Sequence, residues 1–198
     1  MCGRYFFDLD SEELSQLYKK IQEQAKQEEK LAERIATGEV YPSNHVITLQ
    51  RNEDNEIEPN LTRWGFQGFK KGQLLINAKS ETVEQKKTFT KPFQTERCVF
   101  PMTGFYEWSQ DKQKFLFTNP NGSTIFIAGF CRAHKNESEY ETESIIMTTS
   151  PNDSVSKIHD RMPLIVERHQ VNDWILNIDF ARELIKEKMP DLKSELVS

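Results

Sequence analysis

The chain changes period near residue 40, and that change limits the folds open to it. Before it, Leu14, Leu17, Tyr18, Ile21, Ala25, Ala32 and Ile35 recur at helical spacing. Asp10 followed by Glu13 suits a capping box and Gly38 suits a stop, so one long helix is expected from Asp10 to about Thr37. Its middle, "KKIQEQAKQEEKLAER", reads as a solvated face laced with i,i+4 pairs. After it come short apolar runs bounded by turn residues, the pattern of strands. "HVITLQR", the turn "NEDN" and "EIEPNLTRWGF" form one pair, with Pro59 at an edge. "CVFPMTGFYEW", "SIIMTTS" and "MPLIV" are further strands, and "KFLFT-NPNG-STIFIAGF" reads as a β-hairpin around Asn121-Gly122. "SETVEQKK" and "PNDSVSKI" are read as short helices, and "QVNDWILN" and "DFARELIKEKM" return the chain to helix. The expected fold class is α+β, one domain over 1–198, with mainly antiparallel strands in a barrel-like core and flanking helices.

Composition narrows the setting. A chain of 198 residues can bury one real core. No apolar run approaches the roughly 20 residues that cross a bilayer, and no secretion signal is visible, so the expectation is a cytoplasmic protein without a membrane partner, nucleoid-associated if bacterial. The three cysteines, Cys2, Cys98 and Cys131, lie far apart. An odd number without a CxxC pair argues against a disulfide framework and a zinc ribbon, so no metal and no cofactor are expected. Cys98 and Cys131 sit in apolar strands and read as core. The net charge of −5 argues weakly against a nucleic-acid partner, unless basic residues gather in one groove.

"MCGRY" opens the chain. The small residue after Met1 permits removal of the methionine, and Cys2 would then carry a free α-amine and a thiol on adjacent carbons. Three polar clusters stand at the ends of apolar runs, where catalytic groups often reside: "INAKSET" with Asn77, Lys79, Ser80 and Glu81, "GFYEW" with Glu107, and "HDRMP" with His159, Asp160 and Arg161. Each has a plainer alternative. Asn77 can cap the helix that follows it, Glu107 can alternate out to solvent, His159 can be a hydrogen-bonded surface histidine, and Arg161 an ion-pair partner.

Taken in order, "MCGRY", "NAKSET", "GFYEW" and "HDRMP", with "RWGF", "RCVFP", "IAGF" and "TTSPN" between them, resemble the SOS response-associated peptidase (SRAP) family from Cys2 to about Val166. The resemblance implies a sensor of abasic sites in single-stranded DNA, and a monomer is expected. It implies catalytic roles for Cys2, Asn77, Glu107 and His159. Cys2 would form a covalent thiazolidine with the ring-opened sugar, with lyase-type chemistry through the same Schiff base. Glu107 would move protons, His159 would act at the sugar, and Asn77 would orient the N-terminus. Arg4, Lys79, Lys87 and Arg161 flank the motifs as phosphate contacts. Pro42 and Phe69 match an apolar edge that wedges against bases, whereas Trp64 reads as core. Lys79 stands where many members carry arginine and Phe69 where tryptophan is common, so phosphate binding and stacking are expected to be weaker there. Two rival functions stay open: an N-terminal-nucleophile thiol peptidase, and a non-covalent reader of modified bases.

Overall fold

The computed structural model describes residues 2–24, 34–70, 72–135 and 140–197. Its centre is a closed five-stranded barrel. β3 (His45–Arg51) pairs antiparallel with β4 (Ile57–Trp64) and, at Leu49↔Val99, with β8 (Arg97–Met102). β8 pairs antiparallel with β11 (Ile125–Lys135), and β11 with β12 (Tyr140–Thr149). A short parallel contact of β12 with β4, at Glu143↔Arg63 and Ser144↔Trp64, closes the ring. That contact ends before Pro59, so the proline sits on the part of β4 with β3 as its paired neighbour. β7 (Asn77–Lys79) and β13 (Met162–Pro163) add to β12, and β14 (Ile165–Val166) adds to β11.

A second sheet runs in the order β15-β10-β9-β1-β2. Its strands are β1 (Tyr5–Phe7), β2 (Gly38–Val40), β9 (Gly104–Trp108), β10 (Lys114–Thr118) and β15 (Lys193–Val197). β5 (Phe66–Gln67) and β6 (Leu74–Leu75) form a separate two-stranded hairpin. The α+β barrel with flanking helices expected from the sequence is the observed architecture.

Packing explains why the strands read as unbroken apolar runs. All six residues of β8 are buried, because the barrel interior covers one face and other elements cover the second. Phe130 gathers the rings of Phe66, Phe89 and Phe93 at centroid distances of 5.7–6.3 Å. Gly129 lets β11 come close to its neighbours. A Cβ there would lie 2.5 Å from both the Ile145 carbonyl oxygen and the Phe100 ring, so no larger residue fits without displacement. Arg97 is buried, and its guanidinium donates to the carbonyls of Phe93, Gln94, Trp174 and Ile175 at 2.6–2.9 Å. These carbonyls belong to the last turns of α2 (Lys87–Thr95) and α3 (Val171–Leu176), where helical partners run out. One side chain therefore ties two helix ends to the barrel.

Several elements differ from the sequence expectation. The first helix, α1, spans Glu12–Gln24 and buries Leu14 and Ile21. It begins behind Ser11, whose Oγ accepts from the Leu14 N–H at 3.5 Å, rather than behind Asp10. The expected continuation over residues 25–33 lies outside the described residues, and Ile35 already bridges to His45. The hairpin around Asn121-Gly122 is not formed. The turn exists, with Gly122 at φ 73°, but β10 pairs with β9 and β15 while β11 pairs with β8, β12 and β14. The true hairpin is β9–β10, one turn earlier. "SETVEQKK" gives only a 3-10 turn at Ser80–Thr82, and "PNDSVSKI" a run of turns closed by Ser156 and His159 N–H groups on the Asn152 and Val155 carbonyls. The C-terminal helix is α4 (Ile178–Leu184), capped by the Asn177 side chain.

Candidate active site

The second sheet and the barrel meet where the sequence motifs converge. β1 lies between β2 and β9, and the Tyr106 N–H donates to the Arg4 carbonyl at 2.9 Å, continuing the pairing toward the N-terminus. This carries Cys2 into the interior, where it is fully buried. β7 runs parallel to β12 with Asn77 opposite Ile146. Asn77 Nδ2 donates to the Cys2 carbonyl at 2.9 Å, so Asn77 fixes the N-terminal backbone instead of capping a helix. Its Oδ1 is buried and accepts no hydrogen bond among the described residues.

Glu107 does not alternate out to solvent. β9 is covered on both faces and Glu107 is 2% exposed. Burial raises its carboxyl above the ordinary range, and nearby positive charge only partly offsets this. The Cys2 thiol is pushed up as well, by burial first and by the Glu107 carboxylate second. His159 follows the turns at 152–158, and its Nε2 lies 3.5 Å from Glu107 Oε2. The Arg161 N–H lies 3.0 Å from His159 Nδ1, and Asp160 Oδ1 lies 3.2 Å from it. When Nδ1 accepts from that N–H, the neutral ring carries its proton on Nε2, facing Glu107. A cavity of about 600 Å³ has His159, Asp160, Lys157 and Trp108 in its wall. Four separate segments thus bring two pairs together, Asn77 with the Cys2 backbone and Glu107 with His159, and the Glu107 carboxylate acts on the Cys2 thiol.

The expected DNA contacts are distributed around it. The Arg4 guanidinium stacks 4.4 Å from the Tyr41 ring centroid and 4.9 Å from that of Trp108, and its Nη1 reaches Glu39 at 3.3 Å. Glu39 also pairs with Lys114, whose hydrogen bond leads the causes that hold its carboxyl below the usual range. Pro42 is half-buried beside the exposed Tyr41, in a turn where Ser43 takes φ 71°. Arg161 makes a two-pronged ion pair with Glu81, at 2.5 and 2.9 Å, and donates to the Thr148 carbonyl at 2.8 Å. Lys79 is exposed at the end of β7 and Lys87 is exposed at the start of α2. Phe69 is 93% exposed at the tip of the β5–β6 hairpin. Trp64 is core: it is fully buried, and its Nε1 donates to the Ile76 carbonyl at 3.2 Å. Glu39 and Tyr41 do not figure in the sequence reading, and Glu81 figures there only within the "INAKSET" cluster, without its arginine. The carboxylates meet their arginines across 35 and 80 residues of chain, a pairing that no local pattern carries. Among the described residues, no group of three or more His, Cys, Asp and Glu stands close enough to hold a metal ion.

The fold and this cluster define a class: a small α+β barrel that buries an N-terminal Cys2 beside a carboxyl and an imidazole. The model of the SOS response associated peptidase (SRAP) family matches residues 1–197, and the chain belongs to that family. It is similar to "Abasic site processing protein YoaM" of Bacillus subtilis, 28% identical over 191 residues, covering 88% of this chain and 79% of that protein. "Abasic site processing protein YoqW" of Bacillus subtilis is 32% identical over 146 residues, covering 69% and 65%. "Abasic site processing protein YedK" of Escherichia coli is 26% identical over 181 residues, covering 88% and 79%. A solved structure from Bordetella bronchiseptica shares the fold over the whole of both chains, with a TM-score of 0.76 at 20% identity. One from Bacteroides thetaiotaomicron covers 81% of this chain and 78% of that one, with a TM-score of 0.69 at 20% identity.

Proposed function

We propose that this protein processes abasic sites in single-stranded DNA by forming a covalent thiazolidine through Cys2 once Met1 is removed. The observation that carries the reading is the gathering of the expected groups: the Cys2 carbonyl held by Asn77 at 2.9 Å, Glu107 Oε2 3.5 Å from the His159 imidazole, and the Glu107 carboxylate near enough to raise the Cys2 thiol. The names of the relatives, all abasic site processing proteins, support the substrate class.

The chemistry follows from the groups present. The sugar opens when a proton reaches its ring oxygen, a task suited to His159 at the cavity wall. The Cys2 α-amine adds to the aldehyde carbon to give a carbinolamine. Glu107, whose acid form burial favours, gives a proton to the departing hydroxyl, and water and a protonated Schiff base result. The thiol sulfur then adds to the carbon of this protonated Schiff base while its proton goes to the Glu107 carboxylate, which leaves a neutral ring N–H and restores the acid. One water is lost in all. Holding amine, thiol and sugar together makes the closure effectively unimolecular. A thiolate peptidase would need a depressed thiol pKa, and burial and Glu107 push Cys2 the other way.

The geometry of a five-membered ring gives the test. A protein extended by one residue before Cys2 keeps the thiol and loses the α-amine on the neighbouring carbon. It is expected to form no denaturation-stable adduct with abasic single-stranded DNA, while a protein with Cys2 first does, on a denaturing gel. An equal adduct from the extended protein would rule out the thiazolidine.

A further inference from the structure

Phe69 sits at the end of a hairpin that belongs to neither large sheet, so something else must aim it. The holding groups are a charged rung across three barrel strands. Arg63 on β4, Glu143 on β12 and Arg132 on β11 stand in register, with Glu143 between the two arginines. Glu143 is fully buried, with Arg132 at 2.8 Å and Arg63 at 3.6 Å. The Gln67 N–H points at both Glu143 carboxylate oxygens, 3.1 Å from each. Arg132 Nη2 donates to the Gln67 carbonyl at 2.7 Å, and its guanidinium lies 4.4 Å from the Phe66 ring centroid. Both backbone polar groups of Gln67 are thus held by side chains of the rung. Beyond Gln67 the hairpin is tight: the Gly68 N–H donates to the Gln73 carbonyl at 2.8 Å, and the Gln73 N–H donates to the Lys70 carbonyl at 2.9 Å. Orientation fixed at Gln67 therefore carries to Phe69, two residues on.

We propose that Glu143, with Arg132 as its partner, is the positioning residue that aims the Phe69 hairpin at DNA. This rests on the reading of Phe69 as an apolar wedge against bases. A buried carboxylate that accepts hydrogen bonds from a peptide N–H and an arginine is held more firmly than a neutral amide would be. Glu143→Gln keeps the shape, turns one acceptor oxygen into an N–H₂ donor, and weakens the clamp.

The test is fluorescence anisotropy with two undamaged oligonucleotides, a single strand and a single strand ending in a duplex, so that no covalent chemistry enters. Phe69→Ala is expected to weaken junction binding about fivefold or more, the low end for one aromatic–base stack. Glu143→Gln is expected to weaken junction binding by a similar factor and single-strand binding much less. In the double variant the two losses are expected not to multiply, because both remove one contact. If Phe69→Ala binds the junction as the native protein does, the wedge reading itself fails. If Phe69→Ala weakens binding but Glu143→Gln does not, or if the two losses multiply in full, the wedge survives and the positioning role fails. Should Glu143→Gln not fold, Arg132→Lys takes its place. It retains the charge beside Glu143 and loses the fork that also grips Gln67, and the same three comparisons decide the outcome.

Discussion

Cys2→Ala is expected to abolish the heat-stable adduct with abasic single-stranded DNA and to leave most DNA binding intact. The substitution keeps the α-amine, so a Schiff base can still form, but it removes the sulfur that closes the ring and makes the product permanent. It removes one buried atom from a fully enclosed side chain, a change that costs roughly 1 kcal/mol and leaves the fold in place. The side chains read as DNA contacts are placed by other groups: Arg4 pairs with Glu39 and Arg161 with Glu81, while Lys79 and Lys87 are exposed. Denaturing gels give the first readout and anisotropy the second. A heat-stable adduct from Cys2→Ala would mean that another nucleophile forms the bond. A parallel collapse of DNA binding would mean that Cys2 is structural.

Glu107→Gln is expected to slow adduct formation by ~10²-fold or more, the usual contribution of a positioned acid–base group. The amide fills the same buried space and cannot give up or receive a proton in the steps assigned to it. The same substitution is expected to stabilise the fold at neutral pH. Burial raises the Glu107 pKa in the folded state, so folding favours the protonated form. The native protein is then relatively most stable below the ordinary carboxylate pKa, and it loses stability as pH rises through the raised folded value. The glutamine variant carries no such loss. The difference in urea midpoint between the two proteins should be widest near pH 7 and should close as pH falls through the carboxylate range. A variant that crosslinks at the native rate would remove Glu107 from the proton path. One that is less stable at every pH would show that the carboxylate is held by favourable contacts that outweigh its desolvation.

Local patterns and distant pairings account for what the sequence shows and what it hides. The barrel strands are legible because each is an apolar run closed by turn residues, whereas that β8 is covered on both faces is seen only in the structure, where all six of its residues are buried. The misplaced hairpin has a physical cause. Asn121-Gly122 supplies a good turn, but a turn fixes only a reversal of the chain, and the strands on either side find partners in different sheets. The β15 strand is short, charged and exposed, so "KSELV" has no apolar signature and pairs only because β10 offers it an edge. The α2 helix carries Pro92 within it and shows its helical character only through Phe89 and Phe93, four residues apart on one buried face. At the site, motif order names Cys2, Asn77, Glu107 and His159, but composition alone leaves each with a plainer role. What separates the two is burial. A glutamate between Tyr106 and Trp108 reads equally well as facing solvent until β10 and the N-terminal segment are laid against it. The pairing of Arg4 with Glu39 and of Arg161 with Glu81 is invisible in sequence, because a salt bridge between distant segments leaves no local trace.

Glu39 and Glu81 also bear on how DNA would bind. Both arginines are already engaged by carboxylates, so a phosphate must displace or share those partners. Lys79 and Lys87 are exposed, at the end of β7 and the start of α2. Electrostatic binding to phosphates is salt-dependent in proportion to the contacts made, which gives this part of the account its own readout.

The most direct test of the central claim is the intact mass of the purified protein before and after incubation with a single-stranded oligonucleotide carrying one abasic site, with an undamaged oligonucleotide as control. The account predicts a protein that has lost Met1, and a denaturation-stable species at the summed mass of protein and abasic strand minus one water. No such species forms with the control. A protein with Cys2 first that gives no adduct on the abasic strand would contradict it.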